Sequence, residues 1–214
     1  MTRRVRGDPT RAARALRSPV ARSRRLELRL PDLAFAPELV RLLNDPTIAR
    51  WTMSVPYPYR RSDALRWYRR WRSAQRTGRS LRFLLVRRSD GALLGGAGLH
   101  DIDPEHLRAE IGYWVGRPFR GQGYAQEAVL TICRLAFRRL RLRRVEAGIF
   151  PGNVRSARVL RATGFRLEGT MRKTVRKHGI SRDVELYARL SDDPPGPARA
   201  RRAPRRGSSA APTR

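Results

Sequence analysis

The chain's strongest chemical signal is the six-residue run Arg120-Gly121-Gln122-Gly123-Tyr124-Ala125. Two glycines one residue apart let the backbone approach a ligand with no Cβ in the way. The amphipathic stretch that follows opens as a helix, whose first N–H groups have no partner of their own. Such a loop is suited to hold pyrophosphate. It lacks the Gly-Lys-Ser/Thr ending of a P-loop, and Gln126 stands where a dinucleotide fingerprint needs its third glycine. Another phosphate-bearing cofactor is therefore expected. A resident metal is not, because His100, His106 and His178 are scattered and His100-Asp101-Ile102-Asp103 lacks distant partner ligands.

The elements that must position this loop follow from periodicity. Leu26, Leu28 and Leu30 alternate with charged residues as a short strand ending at Pro31. Pro37 to Leu43 has helical spacing and stops at the turn signal Asn44-Asp45-Pro46. Ser62 is the expected N-cap of a second helix, which carries Leu65, Trp67, Tyr68 and Trp71 and ends at Thr77-Gly78. Leu81–Val86 and Ala92–Leu99 form a hairpin about Ser89-Asp90-Gly91, and Ala109–Val115 continues the meander. The loop then starts a helix at Gly121 with Ala125, Ala128, Val129, Ile132 and Ala136 on one face. Val145–Phe150 follows as a strand, so this crossover makes the two flanking strands parallel neighbours. Asn153 opens a further helix that Gly164 ends, and the last strands lie near Phe165–Met171 and Val184–Leu190. The expected fold is α/β of the α+β kind, with a mixed, largely antiparallel sheet of six to seven strands and about four helices.

Composition bounds the rest. The 214 residues, 40% of them hydrophobic, suffice for one sizeable core, and the formal net charge is +30. Nearly all of the 48 basic residues are arginine, since lysine occurs only at positions 173 and 177. Residues 1–24 read as a basic disordered arm, residues 25–190 as the folded domain, and residues 191–214 as a disordered Pro/Arg-rich tail. The positive charge extends into the domain, and the basic arms suit electrostatic contact with RNA. The lone Cys133 excludes an intramolecular disulfide and fits a reducing cytoplasm. No apolar run approaches the roughly 18 residues of a membrane-spanning helix.

Several segments in fixed order resemble one superfamily. They are Glu110-Ile111-Gly112-Tyr113-Trp114-Val115, the loop with Glu127-Ala128, Asn153-Val154-Arg155-Ser156, and Gly164-Phe165. Together they are similar to the GCN5-related N-acetyltransferase (GNAT) superfamily. Within it they resemble the branch that acetylates the N-terminal alanine or serine of ribosomal proteins. Pro56-Tyr57-Pro58, Asp63-Ala64 and Trp67 near the start support that branch, as do Glu168-Gly169, Arg172, Gly179, Asp183 and Tyr187 near the end. The likeness spans about residues 25–190.

The resemblance implies the acyl-CoA N-acyltransferase fold, in which the parallel strand pair splays. It also implies that Arg120, Gly121, Gln122, Gly123, Tyr124 and Ala125 hold the pyrophosphate of acetyl-CoA, and that the strand through Val115 receives the pantetheine arm. Asn153 matches an asparagine that contacts this arm, and as a sequence signal it is equally an ordinary N-cap. Transfer to an amine needs a base, an oxyanion donor and a proton for the thiolate. Glu110 is a candidate base, or else a strand carboxylate paired with an arginine. Ser156 matches a proposed proton donor, or else bonds local backbone in the first helical turn. Leu160 stands where many members place a tyrosine acid, which throws the donor role to Ser156. A backbone N–H near Val115 is the expected oxyanion donor. Cys133 falls on an apolar helix face, so direct transfer is expected rather than an acetyl-cysteine.

Trp51, Tyr57 and Tyr59 fall where similar proteins line the acceptor pocket, although core packing is an ordinary fate for such aromatics. The implied acceptor is a protein N-terminus, with a ribosomal protein as the leading candidate. A small amine or aminoglycoside, or a basic nucleic-acid-binding module on the same scaffold, remains as an alternative. Monomer and homodimer are both compatible with the sequence.

Overall fold

In the computed structural model, residues 8–18 and 20–194 are described, and alternation and periodicity become one sheet with helices on both faces. The strands are β1 (Ala21–Arg22), β2 (Leu26–Arg29), β3 (Leu81–Arg87), β4 (Leu93–Asp103), β5 (Arg108–Val115), β6 (Arg144–Ile149), β7 (Arg166–Lys177) and β8 (Ile180–Leu190). Their spatial order is β1-β2-β3-β4-β5-β6-β8-β7. All neighbours pair antiparallel except β5 and β6, which are parallel as the crossover requires. The helices are α1 (Pro9–Arg14), α2 (Ala36–Leu43), α3 (Pro46–Trp51), α4 (Arg61–Thr77), α5 (Tyr124–Arg138) and α6 (Val154–Ala162).

Strand parity sorts the core into two layers. Leu81, Phe83 and Leu85 of β3 face α5, α6 and α1, whereas Leu84 and Val86 face α2, α3 and α4. On β5, Ile111, Tyr113 and Val115 join the α5–α6 layer, and Trp114 joins the other. This parity later decides which site residues can meet.

The departures from expectation have local causes. In the arm expected to be disordered over residues 1–24, residues 8–18 and 20–24 instead carry α1 and β1 and reach the core. Asp8 caps α1 by accepting from the Thr10 N–H at 2.8 Å, and Pro9 occupies the first helical position. Ala13, Leu16 and Val20 then enter the main core at 0%, 4% and 4% exposure, and Ala21 and Arg22 pair with Leu28 and Glu27. Arginine count hid this apolar spacing. Residues 1–7, and the expected tail beyond residue 194, lie outside the described residues.

The turn at Asn44-Asp45-Pro46 does break the chain, but Asp45 caps a new helix, α3, that Pro46 begins. At α4 the cap position is Arg60 rather than Ser62, and the Asp63 carboxylate accepts from the Arg60 N–H at 2.8 Å. Helix α5 begins at Tyr124 instead of Gly121, which leaves both glycines in the loop.

Candidate active site

Strand β5 is paired along its length with β4, but its parallel pairing with β6 extends only over Arg108–Glu110 against Arg144–Glu146. Beyond Glu110 the two strands diverge, while β6 continues paired to β8 as far as Ile149. A slot opens there. The Gly116 N–H bonds the Leu94 carbonyl of β4 at 2.9 Å, so strand alternation turns the N–H groups of Tyr113 and Val115 toward the slot. A segment of ligand with amide groups can complete this open edge.

The glycine loop follows the slot directly. Gly121 and Gly123 have φ of +77° and +81°, a region that glycine occupies without strain. A Cβ at Gly121 would meet nothing within 4 Å, so its bare backbone borders open space. No side chain caps α5, whose N-cap is Gly123. Its first N–H groups are therefore left for an anion, with the helix dipole favouring negative charge.

The side chains of this loop serve it differently from the expectation. Arg120 turns inward: it donates to the Val115 carbonyl at 3.0 Å, to Thr47 Oγ1 at 2.9 Å and to Asp45 Oδ2 at 2.8 Å. Burial raises the Asp45 pKa, but the Thr47 hydrogen bonds and the Arg120 charge outweigh this and leave it below the ordinary carboxylate value. Arg120 thus fastens the loop to the cap of α3. Tyr124 is a core residue at 6% exposure, Gln122 Nε2 donates to the Pro118 carbonyl at 3.1 Å, and Ala125 lies half-buried in the first turn.

Arg25 and Glu127 brace the other side. The Glu127 carboxylate accepts from Ser23 Oγ, the Arg25 N–H and Arg25 Nε, each at 2.7 Å. Arg25 also donates to the Gln122 carbonyl at 3.0 Å and lies 4.4 Å from the Tyr124 ring centroid. Glu127 was visible in the sequence through its first-turn position, but nothing marked Arg25 among so many arginines.

Glu110 stands where the parallel pairing ends. A Cβ at Gly148 of β6 would come to 3.4 Å from its Oε1, and at Gly112 on the same face of β5 a Cβ would come to 3.3 Å from His100 Nε2. Glu110 is exposed, yet enough protein lies around the carboxylate that desolvation raises its pKa, against the lowering effect of the Gly148 N–H. A raised carboxylate pKa suits a group that must take up a proton. Glu110 borders a cleft of about 460 Å³ with Asp101, His106 and Glu146.

Ser156 lies on the opposite side of the sheet from Glu110, because its partner Tyr113 has the other parity on β5. The Tyr113 hydroxyl and Ser156 Oγ are 2.7 Å apart, joining the open edge of β5 to the first turn of α6. Burial pushes the Tyr113 pKa above the usual phenol value, so the hydroxyl keeps its proton through the neutral range. Tyr113 was not among the expected site residues. Its signal was its parity, together with the need of a buried phenol for a partner. Asn153 caps α6, its Oδ1 accepting from the Ser156 N–H at 3.2 Å, and so holds the serine in place. Leu160 is fully buried.

A pocket of about 740 Å³ opens past the end of β6, lined by Trp51, Tyr57, Phe150, Lys177, Ile180 and Arg182 among others. Trp51 and the 55%-exposed Tyr57 are on its wall. Tyr59 is not: it is 5% exposed in the α2–α4 core, where burial pushes its pKa up to about 12. Cys133 is buried too, with its thiol pushed up to about 12 by desolvation, which makes it a poor nucleophile. Among the described residues there is no group of three or more metal-ligating side chains, and no helix is long and apolar enough to cross a membrane.

Comparison with known proteins agrees with this geometry. Residues 25–166 match the model of the acetyltransferase (GNAT) domain. The Bacillus licheniformis protein "Uncharacterized N-acetyltransferase p20" is 31% identical over 166 residues, covering 78% of this chain and 93% of that protein. The solved Mycobacterium smegmatis RimJ, in complex with CoA-disulfide, superposes with a TM-score of 0.71 at 26% identity, covering 77% of this chain and 81% of that one. The solved RimL, a ribosomal L7/L12 alpha-N-protein acetyltransferase in complex with coenzyme A, has a TM-score of 0.71 at 26% identity. It covers 78% of this chain and 95% of that one.

Proposed function

The chain belongs to the acetyltransferase (GNAT) domain family as an acetyl-CoA-dependent N-acetyltransferase, and on that premise we propose that its acceptor is the α-amine of a protein N-terminus, a ribosomal protein foremost. The observation that carries this reading is the pocket beyond β6. At about 740 Å³ it offers more room than an amine alone requires, and so accommodates the residues that follow a terminal amine. The alpha-N-protein acetyltransferase activity of RimL supports the same class of acceptor.

Acetyl-CoA supplies an activated acetyl thioester. The loop N–H groups and the N-terminus of α5 bind its pyrophosphate, and the open edge of β5 aligns its pantetheine arm beside Tyr113 and Val115. The acceptor nitrogen forms the new C–N bond as the C–S bond breaks. Glu110 takes the proton released by the amine through water, since it borders the neighbouring cleft rather than the acceptor pocket. The Val115 N–H stabilises the negative charge that develops on the acyl oxygen. Ser156 gives its proton to the departing thiolate, with the Tyr113 hydroxyl at 2.7 Å hydrogen-bonding the serine oxygen until solvent reprotonates it.

A thiol-release screen of N-terminal peptides, internal-lysine peptides, polyamines and an aminoglycoside tests the acceptor, with the product sited by mass spectrometry. Turnover of N-terminal peptides is expected. Turnover confined to lysine side chains or small amines would overturn the reading.

A further inference from the structure

Three cations meet in the acceptor pocket, where a single carboxylate stands against them. Arg50 comes from α3, Lys177 from the end of β7 and Arg182 from β8, and all three line the cavity. None of them belongs to an ion pair among the described residues, whereas Arg22, Arg25, Arg29, Arg66, Arg87, Arg120 and Arg144 are all held by carboxylates. The one carboxylate among the lining residues, Asp183, accepts from the Lys173 N–H at 2.8 Å and forms no ion pair among the described residues, so the lining keeps a net positive excess.

These cations are also held in place. The Arg50 guanidinium sits 4.9 Å from the Trp51 ring centroid, and Arg182 lies 5.9 Å from that of Phe150. Lys177 donates to the carbonyls of Ala49, Arg50 at 3.2 Å and Thr52 at 2.6 Å, and its Nζ is 5.5 Å from the Phe150 centroid. Three carbonyls around one ammonium is a site for a compact three-donor head, which a planar guanidinium does not match. That accounts for a lysine here in a chain whose basic residues are otherwise almost all arginine. Lys177 ties the end of α3 to the β7–β8 hairpin and has no donor left for a ligand, so it acts by charge. Arg50 and Arg182 keep exposed guanidinium groups that can donate.

We propose that the pocket selects acceptors whose residues just after the terminal amine are acidic, with Arg50 and Arg182 as the specificity-determining side chains. This rests on the N-terminal reading above. Positive charge fixed on three walls draws in carboxylates and repels polyamines, aminoglycosides and Lys/Arg-rich termini. Because the guanidinium groups are exposed, each pairing is modest and screened by salt.

The test uses the full chain, acetyl-CoA and three peptides that share a first residue and differ at positions 2–4, which are acidic, alanine or basic. The acidic peptide is expected to exceed the alanine peptide about 5- to 30-fold in kcat/KM at low salt, with the margin shrinking as salt rises. Charge reversal by Arg50→Glu with Arg182→Glu is expected to invert the order in favour of the basic peptide, a gain that a misfolded variant cannot show. Equal kcat/KM for the acidic and alanine peptides, or an unchanged order in the reversed variant, would overturn this proposal and leave the N-terminal reading standing. Turnover of spermidine but of no peptide would overturn both.

Discussion

Substitution of Gly121 by alanine separates what the loop's backbone does for the fold from what it does for the ligand. Gly121 has φ of +77°, and an added Cβ would meet no atom within 4 Å, so the cost to the ligand-free protein is backbone strain alone. A non-glycine residue in the left-handed region costs about 1–2 kcal/mol. For a domain of this size that lowers Tm by about 2–8 °C. The open space in question is the site assigned to the pyrophosphate, so in the complex the methyl group displaces at least one charge-assisted N–H···O bond. Such a bond contributes about 1.5–3 kcal/mol, which predicts a roughly 10- to 150-fold weaker Kd for coenzyme A. Gly91 is the control. It has φ of +71° in the β3–β4 hairpin and nothing within 4 Å of an added Cβ, so Gly91→Ala carries the same strain away from the site. Thermal melts and titration calorimetry on both variants read the two quantities. Similar Tm losses with a weakened Kd only in Gly121→Ala are expected. An unchanged Kd in Gly121→Ala would refute the assignment of the loop.

Three other perturbations address the remaining parts. Arg120→Met leaves the 8%-exposed Asp45 without its cation and is expected to cost about 2–3 kcal/mol in urea melts. The folded Asp45 pKa is depressed, so the stability it contributes is present above its unfolded value near about 3.9 and is lost as pH falls through the folded value; Arg120→Met should flatten that acid loss. Glu110→Gln is expected to lower kcat by about 10²- to 10⁴-fold. In the parent enzyme the raised Glu110 pKa places the acid limb of kcat/KM above about pH 4.3: activity is present above that limb, falls as the carboxylate protonates, and the limb should vanish in the variant. Ser156→Ala and Tyr113→Phe are each expected to lower kcat with little change in the KM for acetyl-CoA. The double variant should be no worse than the poorer single one, because the 2.7 Å pair acts as a unit; additive losses in a double-mutant cycle would refute that.

Much of the fold was legible in local pattern. Alternation marked β3, β4 and β5, the Gly-x-Gly run marked the start of α5, and Asn153 three residues ahead of Ser156 marked a cap that the structure contains. Helix α3 was hidden because Asp45-Pro46 has two meanings: the same pair that ends one helix can cap and begin the next. The packed part of the N-terminal segment was hidden by charge, since Ala13, Leu16 and Val20 are spaced as a buried stripe among arginines whose side chains stay outside. At the site, Trp51 and Tyr57 reached the pocket and Tyr59 reached the core, although the two tyrosines are near neighbours in the chain.

The sequence by itself determined the periodicities, the parallel crossover and the bare, uncapped start of α5, because each depends on residues adjacent in the chain. Tertiary structure decided how those parts are used. Arg120 binds Asp45 across 75 positions, Tyr113 binds Ser156 across 43, and Lys177 binds the Thr52 carbonyl at the end of α3 across 125. Which arginines find carboxylates, and which stay unpaired around a pocket, depends on where the sheet brings distant segments together. Local spacing carries no information about that, because an exposed and a buried arginine read the same until packing fixes the neighbours of each.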